Sequence, residues 1–143
     1  FKKLFKGGHG ELKLLGNDDP LQSGLEIYAS PPGKKMKELS LLSGGEQALT
    51  SISLILAVYL CNPSPLCILD EVDAALDDNN VSLFCDLLEQ IVSDNKINFI
   101  IVTHHRLTMA KMNRLLGVTM QEKGISKLLT VDLEKAVEIR KAS

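Results

Sequence analysis

Pro65-Leu66-Cys67-Ile68-Leu69-Asp70-Glu71-Val72-Asp73-Ala74-Ala75-Leu76-Asp77-Asp78 is the stretch on which the fold turns. Four unbroken apolar residues stand between prolines and a pair of carboxylates. That length suits a strand, and the missing alternation predicts a central parallel strand covered on both faces. Asn98-Phe99-Ile100-Ile101-Val102 is a second such run. Between them, Asp77-Asp78-Asn79-Asn80 caps a predicted helix over 81–92, in which Val81, Phe84, Cys85, Leu87, Leu88, Ile91 and Val92 form one stripe. Strand, helix, strand with buried strands means an α/β lobe whose parallel sheet is flanked by helices.

Upstream, Ser40-Leu41-Leu42-Ser43-Gly44-Gly45-Glu46-Gln47-Ala48-Leu49 leads into another helix. Ser43 suits an N-cap, and Glu46 three residues later completes the capping-box pattern. Gly44 and Gly45 carry no Cβ, so a ligand can approach the backbone. Free N–H groups, the helix dipole and a hydroxyl together suit an anion. The same pattern also fits an ordinary capped helix. Residues 47–60 are apolar nearly all round, which predicts a helix buried on most sides. The most apolar run, Ile52 to Cys61, is too short to span a bilayer and is interrupted by Ser53.

The flanks are simpler. Phe1 to Phe5 reads as the frayed end of a helix, broken by Gly7-Gly8-His9-Gly10. Residues 11–15 and 25–29 alternate and form a hairpin, closed by Ser30-Pro31-Pro32-Gly33. Lys34, Lys35 and Lys37 read as a solvated loop, and Gly33-Lys34-Lys35 lacks the spacing of a phosphate-binding P-loop. Residues 115–120 and 125–131 form a terminal hairpin turning at Glu122-Lys123-Gly124, and Asp132 starts a closing helix. At 143 residues and 45% hydrophobic content, the chain is one domain or one lobe of a larger one. It opens on Phe1, and is expected to belong to a longer protein. A net charge of −2 argues against a strongly basic nucleic-acid module. The odd set Cys61, Cys67 and Cys85 forms no C-x-x-C pair and reads as buried, reduced thiols.

Open α/β sheets bind ligands at the carboxyl ends of their strands. One predicted strand ends in Asp70-Glu71. Asp70 could hold Mg²⁺, and Glu71 could polarise an attacking water; the bland alternative is a capped loop with a solvated acid. The other ends in Thr103-His104-His105, where either ring could face a phosphate.

Ser43-Gly44-Gly45-Glu46, Leu66 to Glu71, Asp73-Ala74-Ala75-Leu76-Asp77 and His104 resemble, in this order, the signature motif, Walker B, D-loop and H-loop of ABC-type ATPases. Asp70-Glu71-Val72-Asp73-Ala74-Ala75-Leu76-Asp77-Asp78 resembles the bacterial SMC proteins, the chromosome-organising ATPases, rather than transporters. So do Pro31 to Lys35, Leu39 to Glu46 and Gly117 to Glu122. Two positions depart from that pattern: Gln47 where Lys is common, and His105-Arg106-Leu107 where Asn-Lys-Arg is common. The resemblance implies a C-terminal head lobe over residues 1–143, with an ATP and Mg²⁺ site completed by an N-terminal lobe. Asp70 would hold the metal. Glu71 and His104 would be catalytic. Ser43, Gly44, Gly45 and Glu46 would bind the nucleotide of a second head, and Asp73, near the seam, would also bind ATP. Implied partners are the N-terminal head lobe, a second head in a homodimer, a kleisin-type subunit and DNA through the full complex, in the cytoplasm at the nucleoid and without a membrane. The fragment alone is expected to be inactive. A DNA-repair ATPase of the same superfamily and a non-catalytic docking lobe are the competing readings.

Overall fold

A computed structural model describes residues 1–16 and 19–132. They divide into two units, Phe1–His104 and His105–Ser143.

In the first unit β1 (His9–Leu15) and β2 (Gly24–Ser30) form an antiparallel hairpin, with His9 opposite Ser30 and Leu15 opposite Gly24. A two-residue strand, β3 (Lys37–Glu38), adds to the free edge of β2. Too short to show alternation, it left no periodic signal in the sequence. A 3₁₀ turn over Leu39–Leu41 leads to α1 (Gly44–Cys61), and then β4 (Leu66–Asp70), α2 (Asp78–Asn95) and β5 (Asn98–Val102) follow. β4 and β5 are parallel, running from the Leu66–Asn98 pair to the Asp70–Val102 pair. The expected α/β order is therefore present. In the second unit α3 (Arg106–Ala110) precedes the antiparallel β6 (Arg114–Glu122) and β7 (Ile125–Asp132). Gly124 at φ +87° makes their turn, a conformation that suits a residue without Cβ. Asp132 ends β7; the closing helix expected after it lies outside the described residues.

Local chemistry explains the boundaries of α2. Asp77 Oδ1 accepts the Asn80 N–H at 2.8 Å, the expected N-cap. At the other end Lys96 takes φ +54° and its N–H donates to the Val92 carbonyl at 3.0 Å. A lysine gives no sequence signal for this left-handed cap, which is usually glycine. The helix accordingly runs three residues past its expected end.

The core of this unit is the α2 stripe. Val81, Phe84, Cys85, Leu87, Leu88 and Ile91 are buried, and Phe84 is 0% exposed; Val92 is exposed. Leu49, Ile52 and Leu56 of α1 and Leu69 of β4 are also buried. The N-terminus is not frayed. Leu4 and Phe5 are buried, Phe1 stacks on Phe5 at 4.4 Å, and Lys6 Nζ donates to Asp86 of α2 at 3.2 Å. Side chains too far apart in sequence to reveal each other thus hold this segment in place.

Two expectations about burial fail for one physical reason. Period-two alternation puts Cys67, Leu69, Phe99 and Ile101 on one face of the β4–β5 ladder and leaves Leu66, Ile68, Ile100 and Val102 exposed on the other, Ile68 by 64%. The strands are covered on one face only. Likewise α1 buries Leu49, Ile52, Ser53 and Leu56 but exposes Ile55 and Val58. Both strand and helix have the composition of fully enclosed elements while this chain supplies cover for half of each. By length and composition α1 could cross a membrane, with 28% of its 18 residues buried. The cysteines differ as well: Cys85 is buried, Cys67 is half-buried and Cys61 is exposed. Burial pushes the Cys67 thiol up from its ordinary pKa and keeps it protonated.

Phe84→Ala should cost this chain about 3–5 kcal/mol, while Ile68→Ser, on the open face, should cost less than about 0.5 kcal/mol. Urea unfolding of the two variants measures the contrast; equal losses would mean that the open face is covered.

Candidate functional site

The expected site residues form two clusters in the first unit. The first lies at the carboxyl ends of β4 and β5. Asp70 is exposed, directly opposite Val102 in the ladder. One residue on, the Glu71 N–H donates to the Val102 carbonyl at 2.9 Å, and Glu71 takes φ +48°. That backbone conformation is unfavourable for a residue with a Cβ, by roughly 1–2 kcal/mol. Strain of this kind concentrates at functional positions, where surrounding contacts hold it. It turns the Glu71 side chain to His104, whose Nδ1 lies 3.7 Å from Glu71 Oε1, both side chains remaining largely exposed. His104 is therefore the ring beside the carboxylate, and His105 is the residue before α3.

Asp73 behaves differently from its expected role. It is 1% exposed, and its Oδ2 accepts the Thr103 hydroxyl at 2.7 Å. A carboxylate so enclosed is not presented to a ligand; it ties the loop after β4 to the end of β5. The Ala74 N–H donates to the Glu71 carbonyl at 3.1 Å, and the Leu76 N–H to the Asp73 carbonyl at 3.0 Å, which tightens the same loop. Thr103, named above only as part of the strand end, is thus a structural part of the site. Its position at a strand end beside a histidine was the available signal.

The second cluster is the start of α1. Ser43 and Glu46 form the expected capping box. Glu46 Oε2 accepts the Ser43 backbone N–H at 3.2 Å and its hydroxyl at 2.7 Å. Its Oε1 lies 2.8 Å from Nζ of Lys34, which is exposed as expected and also makes this ion pair. Chiefly through the Lys34 hydrogen bond, with those from Ser43 adding and burial opposing, the Glu46 carboxyl is held below its ordinary pKa. It is anionic at neutral pH. Gln47 Nε2 donates to the carbonyls of Ser40 and Leu42 at 3.2 and 3.1 Å, which fixes the loop leading into the helix.

The two glycines are not equivalent. A Cβ at Gly44 would meet nothing within 4 Å, so this backbone is open to a ligand. A Cβ at Gly45 would lie 2.8 Å from Asn80 Nδ2. Gly45 thus lies against the end of the Asn80 side chain, in the first turn of α2.

Among the described residues no group of three or more His, Cys, Asp or Glu side chains could hold a metal ion. A magnesium ion needs only one or two protein carboxylates when phosphates and waters complete its octahedron. The exposed Asp70, at a strand end, fits that requirement.

The family model of the RecF/RecN/SMC N terminal domain matches residues 20–127. The chain belongs to this family. It is 61% identical over 139 residues to the chromosome partition protein Smc of Rhodopseudomonas palustris, covering 97% of this chain and 12% of that protein. A Rhodospirillum rubrum protein encoded in the 3′ region of the ATPase CF(0) subunits is 56% identical over 142 residues, covering 99% of this chain and 82% of that protein. Solved SMC heads share the fold. One, from work on ATP-driven dimerization and DNA-stimulated activation of SMC ATPases, has a TM-score of 0.80 and 36% identity, covering 99% of this chain and 84% of that one. Another is the Smc head with an extended coiled coil, bound to the C-terminal domain of ScpA, derived from Pyrococcus furiosus. Its TM-score is 0.79 and its identity 38%, over 99% of this chain and 35% of that one. This chain thus has the fold of an SMC head lobe, α/β as expected, and spans about an eighth of the Smc proteins it matches (12% of the length).

Glu71→Gly should raise the stability of this chain by about 0.5–1 kcal/mol, since glycine adopts the left-handed backbone freely and the exposed contact with His104 contributes little. Glu71→Ala, with the Cβ retained, should bring no such gain. Denaturant midpoints decide it; equal midpoints for the two variants would remove the strain from the account.

Proposed function

We propose that this chain is the C-terminal lobe of the ATPase head of a chromosome-partitioning SMC protein. The observation that carries the reading is the strained Glu71 beside His104, at the carboxyl ends of two adjacent parallel strands. A lobe that served only for docking would leave that strain without a purpose.

In this reading the nucleotide is carried by a P-loop on the N-terminal lobe, which also covers the open apolar face of Leu66, Ile68, Ile100 and Val102. Asp70 would hold a magnesium ion, whose charge would offset that of the phosphates. Glu71 orients a water and accepts its proton as the water oxygen bonds to the γ-phosphorus and the bond to ADP breaks. The exposure of Glu71 gives that water access. His104 steadies the carboxylate and faces the γ-phosphate. A second head supplies Ser43, with the backbone N–H groups at the start of its α1, as donors to the same γ-phosphate. Gly44 leaves the approach clear, and Glu46 fixes Ser43 through the capping box. Asp73 works from within, holding the loop between the strand ends. ATP binding then joins two heads, and hydrolysis releases them.

Heads of related proteins bear coiled coils and bind the C-terminal domain of ScpA. By the same reading this protein works on DNA in the cytoplasm, at the nucleoid, with a kleisin-type subunit on its head. The isolated chain, lacking the P-loop, hydrolyses no ATP at a measurable rate.

Joining the chain to its N-terminal lobe through a short linker tests this. With ATP, the Glu71→Gln head should double in mass by light scattering, and adding Ser43→Arg should return it to a monomer. No change of mass with ATP, together with no hydrolysis by the unsubstituted head, would contradict the reading.

A further inference from the structure

The turn between β2 and β3 is built to aim one lysine at the start of α1. Gly33 takes φ +76°, the Lys34 N–H donates to the Pro31 carbonyl at 3.0 Å, and the Ser30 hydroxyl donates to the Lys34 carbonyl at 2.6 Å. Pro31 is buried beneath it. From this fixed backbone the Lys34 ammonium reaches Glu46 Oε1 at 2.8 Å; the Lys34 side chain is 55% exposed, that of Glu46 only 15%. The other carboxylate oxygen accepts hydrogen bonds from both the N–H and the hydroxyl of Ser43.

This arrangement has a consequence for an arriving phosphate. A carboxylate cannot donate, so the Ser43 hydroxyl is committed to Glu46. To serve a phosphate the hydroxyl must turn away, leaving an enclosed carboxylate with one donor fewer and an anion close by. Uncompensated, like charges in a partly buried setting would repel the ligand. Lys34 is the cation that removes this obstacle, because its contact uses the carboxylate oxygen that Ser43 does not.

We propose that Lys34 is a positioning residue for the phosphate site at the start of α1. It anchors and neutralises Glu46, so that the Ser43 hydroxyl is free to turn to the γ-phosphate of a nucleotide held by another head. The proposal rests on the reading of Ser43 given above, and it assigns to the turn that carries Lys34 a part in pairing the heads.

The test uses the complete two-lobed head with ATP and magnesium, following pairing by light scattering and turnover at increasing head concentration. Lys34→Met should raise the head concentration for half-maximal pairing roughly ten-fold, the loss of one charge-assisted contact. Nucleotide affinity of single heads should stay unchanged, because Lys34 acts on the nucleotide of the opposite head. Lys34→Arg should restore pairing. In a Glu46→Gln background Lys34→Met should have no further effect, since the charge to be neutralised is gone. Normal pairing by Lys34→Met, or a full loss that persists in the Glu46→Gln background, would overturn the proposal. Failure of the unsubstituted head to pair would instead overturn the reading of Ser43, and the role of Lys34 with it. Unchanged melting of the Lys34→Met head checks that its fold is intact.

Discussion

The hydrogen bond from the Glu71 N–H to the Val102 carbonyl, at 2.9 Å, carries the parallel ladder one residue beyond its last pair. Everything at that end of the sheet follows from it. To keep the bond, Glu71 accepts a positive φ, and its side chain leaves the strand direction and meets His104. The loop beyond must then return at once to α2. It does so with Asp73 buried and tied to Thr103, the residue that precedes His104. One ladder bond and one side-chain bond thus fix both strand ends together. They leave Asp70, Glu71 and His104 facing solvent and keep Asp73 out of it.

A second constraint is incompleteness. The β4–β5 ladder has its buried and half-buried side chains, Leu69 with Cys67, Phe99 and Ile101, on one side and a row of exposed aliphatic side chains on the other. A sheet face of this kind in water marks an interaction surface. The same holds for Ile55 and Val58 of α1. α2 and the buried N-terminal Leu4 and Phe5 hold the lobe, while Asp70, Glu71 and His104 stand exposed at the strand ends. The start of α1 is held separately, by Lys34, Glu46 and Gln47, and lies beside Asn80 of α2 at Gly45.

What could be read from the sequence divides along the same physical lines. Elements with periodic or capped sequences were legible: α2 through its stripe and Asp77, the two parallel strands through their unbroken apolar runs, both hairpins through alternation and turn residues. Ser43 and Glu46 were legible as a capping box because that interaction is local. Interactions between distant residues were not. Nothing near Lys34 announces Glu46, nothing near Thr103 announces Asp73, and Gly45 gives no hint of Asn80. Nor does composition tell a buried residue from one awaiting a partner, which is why Ile68 and Ile55 were expected inside. The backbone of Glu71 was hidden for another reason. A left-handed residue without glycine is imposed by its surroundings, not by its own preference.

The central claim is that one nucleotide is gripped by Asp70, Glu71 and His104 of one head and by Ser43 of another. A crystal structure of the complete Glu71→Gln head with ATP and magnesium tests it most directly. The account predicts a symmetric pair of heads, with the γ-phosphate within hydrogen-bonding distance of Ser43 from one copy and beside His104 from the other. A nucleotide-bound head that stays single, or a pair in which Ser43 lies away from the phosphate, would contradict it.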